Sequence, residues 1–369
     1  MVGALILARL LAFFGFRDDA RALLDDRAEG DLVARRDYLD ARLSSAAAAG
    51  TPDDPLFSGE WVLVTISMTA MASTNIAFSN PDTLEDGRRV VNRCAERALL
   101  ETTRAFDTTE WGEDPLSTLS GAKSHIGYLG HLLLVLEAKR LLGGGTDPHE
   151  GPVADALARR YEAAPFPYLE TYPGQRYTAD NMVALAALAM SDLARTPKHT
   201  ALLARFVAYT KAHLLDPGSQ LVVFGVTDTG EAKGTARGSG VGWNSLYLPF
   251  IDDAFAKAQA TFLRDRFSKK TGPGNLSVCE YDGCAAGKGD VDSGPVILGA
   301  SPSGTGFAIA AARRLGDEAW LSGLLGTAEW VGFSVQWSGK RRYLLAPLVG
   351  DAIVLAAKTS RSWDGRYGK

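Results

Sequence analysis

The chain has 369 residues, 46% hydrophobic and 22% charged, the composition of an ordinary water-soluble globular protein large enough for a sizeable core. A formal net charge of -4, a pI near 5.8 and the lack of a basic cluster exclude phosphate backbones as the expected partner, so no nucleic-acid role is read.

Residues 1–16, MVGALILARLLAFFGF, are apolar with Arg9 inside, too short to span a bilayer and without a small-residue cleavage site. They predict a packed amphipathic helix. The alternative is a membrane-proximal or trimmed signal segment, which leaves the compartment open with a lean to the bacterial cell envelope or periplasm. Residues 17–28 and 30–47 are charged amphipathic runs rich in Ala, Leu and Arg, good helix formers. TPDDP at 51–55 breaks the pattern, so a helical hairpin over 1–50 is expected ahead of a main body over 56–369.

Residues 60–77, EWVLVTISMTAMASTNIA, are apolar on every side, which marks a helix buried inside a larger assembly, whereas 84–105 are amphipathic and suit an outer helix. The alternation recurs: 124–142 and 181–193 are apolar, 153–164 charged and 200–215 mixed. At 221–242 a β-branched run followed by turn residues predicts a hairpin or a long ordered loop. Helices resume near 244–267, 295–314, 316–335 and 343–358. With no strand-helix-strand rhythm the expected class is all-α, and inner helices alternating with outer ones describe an α/α toroid.

In such a ring the loops before the inner helices converge on a central pocket. The groups found there are Glu60 and Trp61; Glu110 and Trp111; His125, Tyr128 and His131; Tyr177, Asp180 and Asn181; Trp243 and Asn244; Glu280 and Tyr281; Asp290 and Asp292. Acids mixed with aromatics line sugar sites, and also sites that stabilise a carbocation through ring faces. The densest run is Gly287–Arg313. Asp290 and Asp292 sit there in a glycine-bounded loop, and Ser293 with Pro295 predicts a helix start just after them. These acids read either as helix caps or as an acid or base above the cavity. Asp180, before an apolar helix, is likewise a cap or a general acid or base with Asp292 as its partner.

His131 reads as a core residue or as a group touching substrate, with Tyr128 on the same helical face; His125 lies on another face, so no metal pair forms. No metal site and no cofactor are expected. The nucleophile elbow and the dinucleotide glycine signature are both absent. Cys94 reads as a small buried residue. Cys279 and Cys284 bracket EYDG, close enough for a disulfide in an oxidising compartment, with free thiols as the default.

Three regions resemble the linalool dehydratase/isomerase family: GYLGHL at Gly127–Leu132, TYPGQRYTADNMVAL at Thr171–Leu185, and the stretch from Trp243 through DVDSGPV and SGTGFAIAAAR. The resemblance implies an (α/α)6 barrel with a short β-hairpin or long loop inserted. It puts His131, after Tyr128-Leu129-Gly130, in the place of the family's catalytic histidine, and Thr171 and Asp180 in the places of its active-site cysteines. A carboxylate at Asp180 then replaces a thiol. No cofactor, a small-molecule substrate and a ring-like homo-oligomer are also implied. DVDS is similar to the first two acids of the DxDD motif by which class II terpene cyclases protonate an alkene, with Asp292 in the donor's place.

The expected function is acid/base dehydration or isomerisation of a terpenoid-like alcohol or alkene. Asp180, Asp292 or Asp290 would donate the proton and His131 assist. Tyr128, Thr171, Tyr172, Tyr177, Asn181, Trp61, Trp243, Glu280 and Tyr281 would line the cavity. A carbohydrate-active hydrolase or lyase with paired carboxylates, and a binding protein without chemistry, are the alternatives.

Overall fold

A helix that is apolar on every face has to be covered on every face, and that requirement organises the chain. A computed structural model describes residues 19–44, 55–361 and 363. Its helices are α1 (Glu29–Ser44), α2 (Pro55–Ser79), α3 (Leu84–Ala98), α4 (Glu101–Trp111), α5 (Ile126–Leu141), α6 (Glu150–Ala163), α7 (Thr178–Ser191), α8 (Thr200–His213), α9 (Gly238–Ile251), α10 (Asp253–Phe267), α11 (Pro302–Leu315), α12 (Glu318–Gly332) and α13 (Leu348–Thr359). The fold is all-α, with only short strands between helices.

The apolar helices find each other. α2 packs on α5, α5 on α7, α7 on α9, α9 on α11, α11 on α13, and α13 back on α2. Residues 58–79 of α2 are long and apolar enough to cross a bilayer, but most of their surface is buried against helices of the same chain. In α7 every residue but Ala179 is buried; Leu185 and Leu188 each contribute about 1.5–3 kcal/mol by leaving water.

Small residues set the spacing and the direction at the seams. A Cβ on Gly130, early in α5, would lie 3.1 Å from Ala184 in α7; one on Gly304, at the start of α11, would lie 2.9 Å from the Gly238 backbone at the start of α9. Gly306 of α11 faces Ile353 and Val354 of α13 in the same way. Early residues meet early or middle residues of the next helix, which fits helices that run parallel with their N-termini at one end. At the opposite end Trp363, just past α13, donates to Asn75 near the end of α2, which fits the same direction across the last seam.

Amphipathic helices cover the outside: α3 lies over α2 and α5, α6 over α5, α8 over α7, α10 over α9 and α11, and α12 over α11, with α4 against α2. α1 covers the seam between α13 and α2. Its buried Arg35 reaches Glu329 of α12 at 2.7 Å, and its Asp31 accepts from Lys358 of α13 at 2.8 Å. Of the expected 1–50 hairpin, residues 1–18 and 45–50 lie outside the described residues, as do 51–54.

The strands are short. β1 (Arg176–Tyr177), β2 (Gly225–Val226) and β3 (Ala232–Lys233) form one antiparallel sheet, so the hairpin expected at 221–242 exists in reduced form. β4 (Ser268–Gly272) and β5 (Asn275–Cys279) form a hairpin that also takes β6 (Ala300–Ser301), and β7 (Ser334–Trp337) pairs with β8 (Lys340–Tyr343). Neither of these was expected; Gly274 and Gly339, at φ +77° and +76°, make the turns. The helix expected from 295 begins instead at Pro302, where Ser301 caps it by accepting from the Gly304 amide at 3.1 Å. Leu298 and Gly299, both at positive φ, keep the preceding stretch non-helical.

Gly304→Ala would push a methyl into the Gly238 backbone, so a loss of about 1–3 kcal/mol is expected from overpacking. Urea unfolding measures it, and an unchanged midpoint would show that this seam tolerates the extra volume.

Candidate active site

The shared end of the inner helices collects acids. Asp180 lies in the first turn of α7, where the helix dipole favours a charged carboxylate. Burial opposes that and wins: although the Thr171 hydroxyl donates to Asp180 Oδ2 at 2.8 Å, the carboxyl is pushed up to about 6. Glu60, in the second turn of α2, is raised well above the usual carboxyl range, first by burial and then by the charges of Asp180 and Asp292. Asp292 is pushed up to about 7, again first by burial and next by Asp290, with Arg237 opposing. Three carboxyls thus act on one another.

Glu60 and Asp292 are only half-buried, which means that a water-sized space touches them at this depth. Tyr172 is nearly inaccessible and its hydroxyl makes no hydrogen bond; it lies within reach of Glu60, Asp180 and, more weakly, Asp107. On α9, both amide atoms of Asn244 and the hydroxyl of Tyr247 are likewise buried without a partner. Buried side-chain polar atoms are paired in the large majority of cases, so unpartnered ones are places where a ligand or ordered water fits. Trp243 forms a wall beside them. Its indole N–H donates to the Ala179 carbonyl at 3.3 Å, and its ring meets His131, Tyr247 and Phe307 at 5.8, 5.7 and 5.4 Å.

His131 is fully enclosed, with Nδ1 2.7 Å from the Ser67 hydroxyl, and burial lowers its pKa to about 3. The ring is neutral at working pH. His131 is thus an uncharged group held against Trp243.

Asp292 is positioned by a chain of bonds behind it. Glu280, at the end of β5, accepts from the Ser239 amide and hydroxyl at 3.1 and 2.8 Å and from Arg237 at 2.5 Å. Arg237 holds Asp290 at 2.7 Å, and Asp290 accepts from the Asp292 and Ser293 amides at 3.1 and 3.0 Å. A disulfide joins Cys279 and Cys284 on either side of Glu280, Cα atoms 5.0 Å apart. The two acids of the DVDS run therefore part company. Burial would raise Asp290, but Arg237 and Ser293 hold it below the ordinary range, so it stays charged and shapes the loop.

Other sequence candidates are committed elsewhere. Tyr128 donates to the Ala98 carbonyl at 3.0 Å, towards the outer layer. Asn181 accepts from Tyr161 and the Leu169 amide and donates to the Leu169 and Tyr177 carbonyls, so its amide is satisfied without a ligand. Glu280 is spent on Arg237 and Ser239, and Tyr281 donates to the Lys288 carbonyl at 3.0 Å. Tyr177 is half-buried with its hydroxyl on Gln175, close enough to feel Asp292 and Asp180 and so at the rim. Trp61 is buried one residue past Glu60. His125 and Asp107 make a separate buried pair at 2.6 Å.

Glu60 and Asn244 stood in the loop inventory without a role, and Tyr247 was missed although it follows Trp243 by one helical turn. Among the described residues no group of acids, histidines and cysteines has the spacing to hold a metal ion. No family model matches the chain, and no characterised protein matches it in sequence.

Carboxyls raised in the folded state take up protons on folding. Their stabilisation is complete below about pH 4, the unfolded value, and is lost as pH rises through about 6–7. Asp292→Asn is expected to reduce the fall in stability between pH 4.5 and 8 relative to wild type. Urea unfolding across that range tests this, and parallel curves would mean that Asp292 is not shifted.

Proposed function

We propose that the closed cycle of parallel inner helices is an (α/α)6 barrel, and that the acids at its mouth carry out acid/base dehydration or isomerisation of a largely apolar alcohol or alkene of terpenoid type. The observation that carries this reading is the crowding of Glu60, Asp180 and Asp292, which keeps protonated carboxyls present near neutral pH. A general acid works best when its pKa lies near the working pH.

In the reaction, a protonated Asp292 or Asp180 gives its proton to the substrate hydroxyl. The C–O bond breaks with its electron pair going to oxygen, and water leaves. The allylic cation then loses a proton from the neighbouring carbon to an ionised carboxylate of the cluster, which gives the alkene; return of water at the other end of the allyl system, with its extra proton passing to that carboxylate, gives the isomer. The Trp243 face stabilises the cation. A neutral His131 adds no opposing charge there. The orphan amide of Asn244 and the hydroxyls of Tyr172 and Tyr247 are suited to orient the substrate oxygen.

The resemblance to linalool dehydratase/isomerases agrees at one point of geometry: Thr171 and Asp180, in the places of the family's two cysteines, are hydrogen-bonded to each other. A sugar site is less well supported. It needs many free donors and acceptors, and Asn181, Glu280 and Tyr128 are already committed.

The test is product analysis by gas chromatography with allylic terpene alcohols. Turnover is expected for wild type, with a loss of about 100-fold or more for Asp180→Asn and for Asp292→Asn. The rate should fall as pH rises through about 6–7, where the donor ionises. Stabilisation in a melting assay by oligosaccharides and not by terpene alcohols would replace this reading with the hydrolase.

A further inference from the structure

Side chains of the inner helices meet across the middle of the cycle. His131, Trp243 and Phe307 are each the sixth residue of their helix, α5, α9 and α11. α5 and α9 are not side by side: each packs on α7, which lies between them and is covered on its outer side by α8. Their rings nevertheless touch, His131 on Trp243 at 5.8 Å, and Trp243 meets Phe307 at 5.4 Å. Side chains that pass from α5 to α9 in front of α7 do so through the bore of the cycle. On the other side His131 reaches Ser67 of α2 at 2.7 Å, and α7 joins through the Ala179 carbonyl, which accepts from the Trp243 indole at 3.3 Å. Five of the six inner helices therefore contribute to one plate across the bore.

The plate lies close beneath the acids. Gly130, beside His131, faces Ala184, which is four residues past Asp180 in α7. That step is about 6 Å along a helix axis. In α2, Ser67 stands two turns past Glu60. Trp243 keeps 8% of its surface and Asp180 7%, against 1% each for His131 and Phe307, so the part of the plate still open is the indole. The far end of the bore is closed as well. Trp363 is buried, and its ring meets Phe78 at the end of α2 at 5.8 Å and Phe250 at the end of α9 at 5.3 Å, two helices that stand opposite each other in the cycle. The acid end is thus the mouth of a blind and shallow pocket.

We propose that Trp243 is the specificity-determining floor of this pocket. The hydroxyl end of the substrate sits among Glu60, Asp180 and Asp292, and its carbon chain ends on the indole. A depth of about 6 Å holds an extended allylic alcohol of about five carbons and stops one of ten. A longer chain meets rings packed against one another and enters only by displacing them, which a close-packed interior resists. The alcohol in this proposal rests on the function proposed above; the closed bore does not.

The experiment is isothermal titration calorimetry with 3-methylbutanol and 3,7-dimethyloctanol, saturated alcohols of five and ten carbons that cannot form an allylic cation and so are not consumed. Wild type is expected to bind the five-carbon alcohol and to bind the ten-carbon one no more tightly. Trp243→Ala should shift the ratio of the two dissociation constants at least 10-fold in favour of the longer alcohol. Trp243→Leu, the milder change if the alanine variant does not fold, should shift it in the same direction by less. Trp320→Ala, a buried tryptophan on the outer helix α12, should lower the melting temperature and leave the ratio as in wild type. The proposal is overturned by an unchanged ratio in the Trp243 variants, by wild type preferring the ten-carbon alcohol 10-fold or more, or by no binding of either alcohol. Gas chromatography with the allylic counterparts tells the two readings apart. The expected length preference without any product removes the dehydratase reading and leaves the floor, whereas product formed with equal kcat/KM from five- and ten-carbon substrates removes the floor and leaves the reaction.

Discussion

Three carboxyl groups brought together where little water reaches cannot all be charged, and much of this structure follows from how that conflict is met. Burial raises each acid, and the charge of Asp180 raises Glu60 and Asp292 further. Relief comes from fixed groups: the Thr171 hydroxyl for Asp180 and, at one remove, Arg237 for Asp292. The ring of helices tolerates this because its remaining contacts are apolar and numerous.

The scaffold and the site divide the polar residues between them. Asn181, Glu280, Asp290 and Arg237 have every strong group bonded and shape the loops. Asn244, Tyr247 and Tyr172 have buried polar atoms left over. Residue type does not separate these classes, since both contain amides. The distinction lies in whether backbone carbonyls and amides happen to lie within 3 Å, which depends on how three or four loops meet.

That dependence explains what could be read from the chain alone. Helices apolar on every face were legible because burial on all sides leaves a compositional trace, and 60–77 is the clearest case. The mouth residues were legible as a group, because loops before inner helices must converge. Their roles were not. Asp290 and Asp292 stand two residues apart in one run, yet one carboxyl is held below the ordinary range and the other is pushed above it, because Arg237, far away in sequence, reaches only the first strongly. The misplaced helix start at Pro295 has a local cause: Ser-Gly-Pro imitates a cap, and only the positive φ of Leu298 and Gly299 shows that the chain is still turning. The β4–β5 and β7–β8 hairpins were hidden because their strands are only four or five residues long and lack a regular alternation: β4, β7 and β8 are largely exposed, while β5 is buried on both faces.

The disulfide between Cys279 and Cys284 closes a loop around Glu280, the residue that starts the chain of bonds to Arg237, Asp290 and the Asp292 backbone. The inner helices contact one another directly and do not depend on that sulfur bridge. Folding and closure of that loop are therefore separable properties of a preparation. Protein made in a reducing cytosol would assemble its ring and melt cooperatively while the loop that aims Asp292 lacks its covalent tie. Counting free thiols, against the single buried Cys94 expected of the oxidised chain, grades such a sample where a melting curve would not.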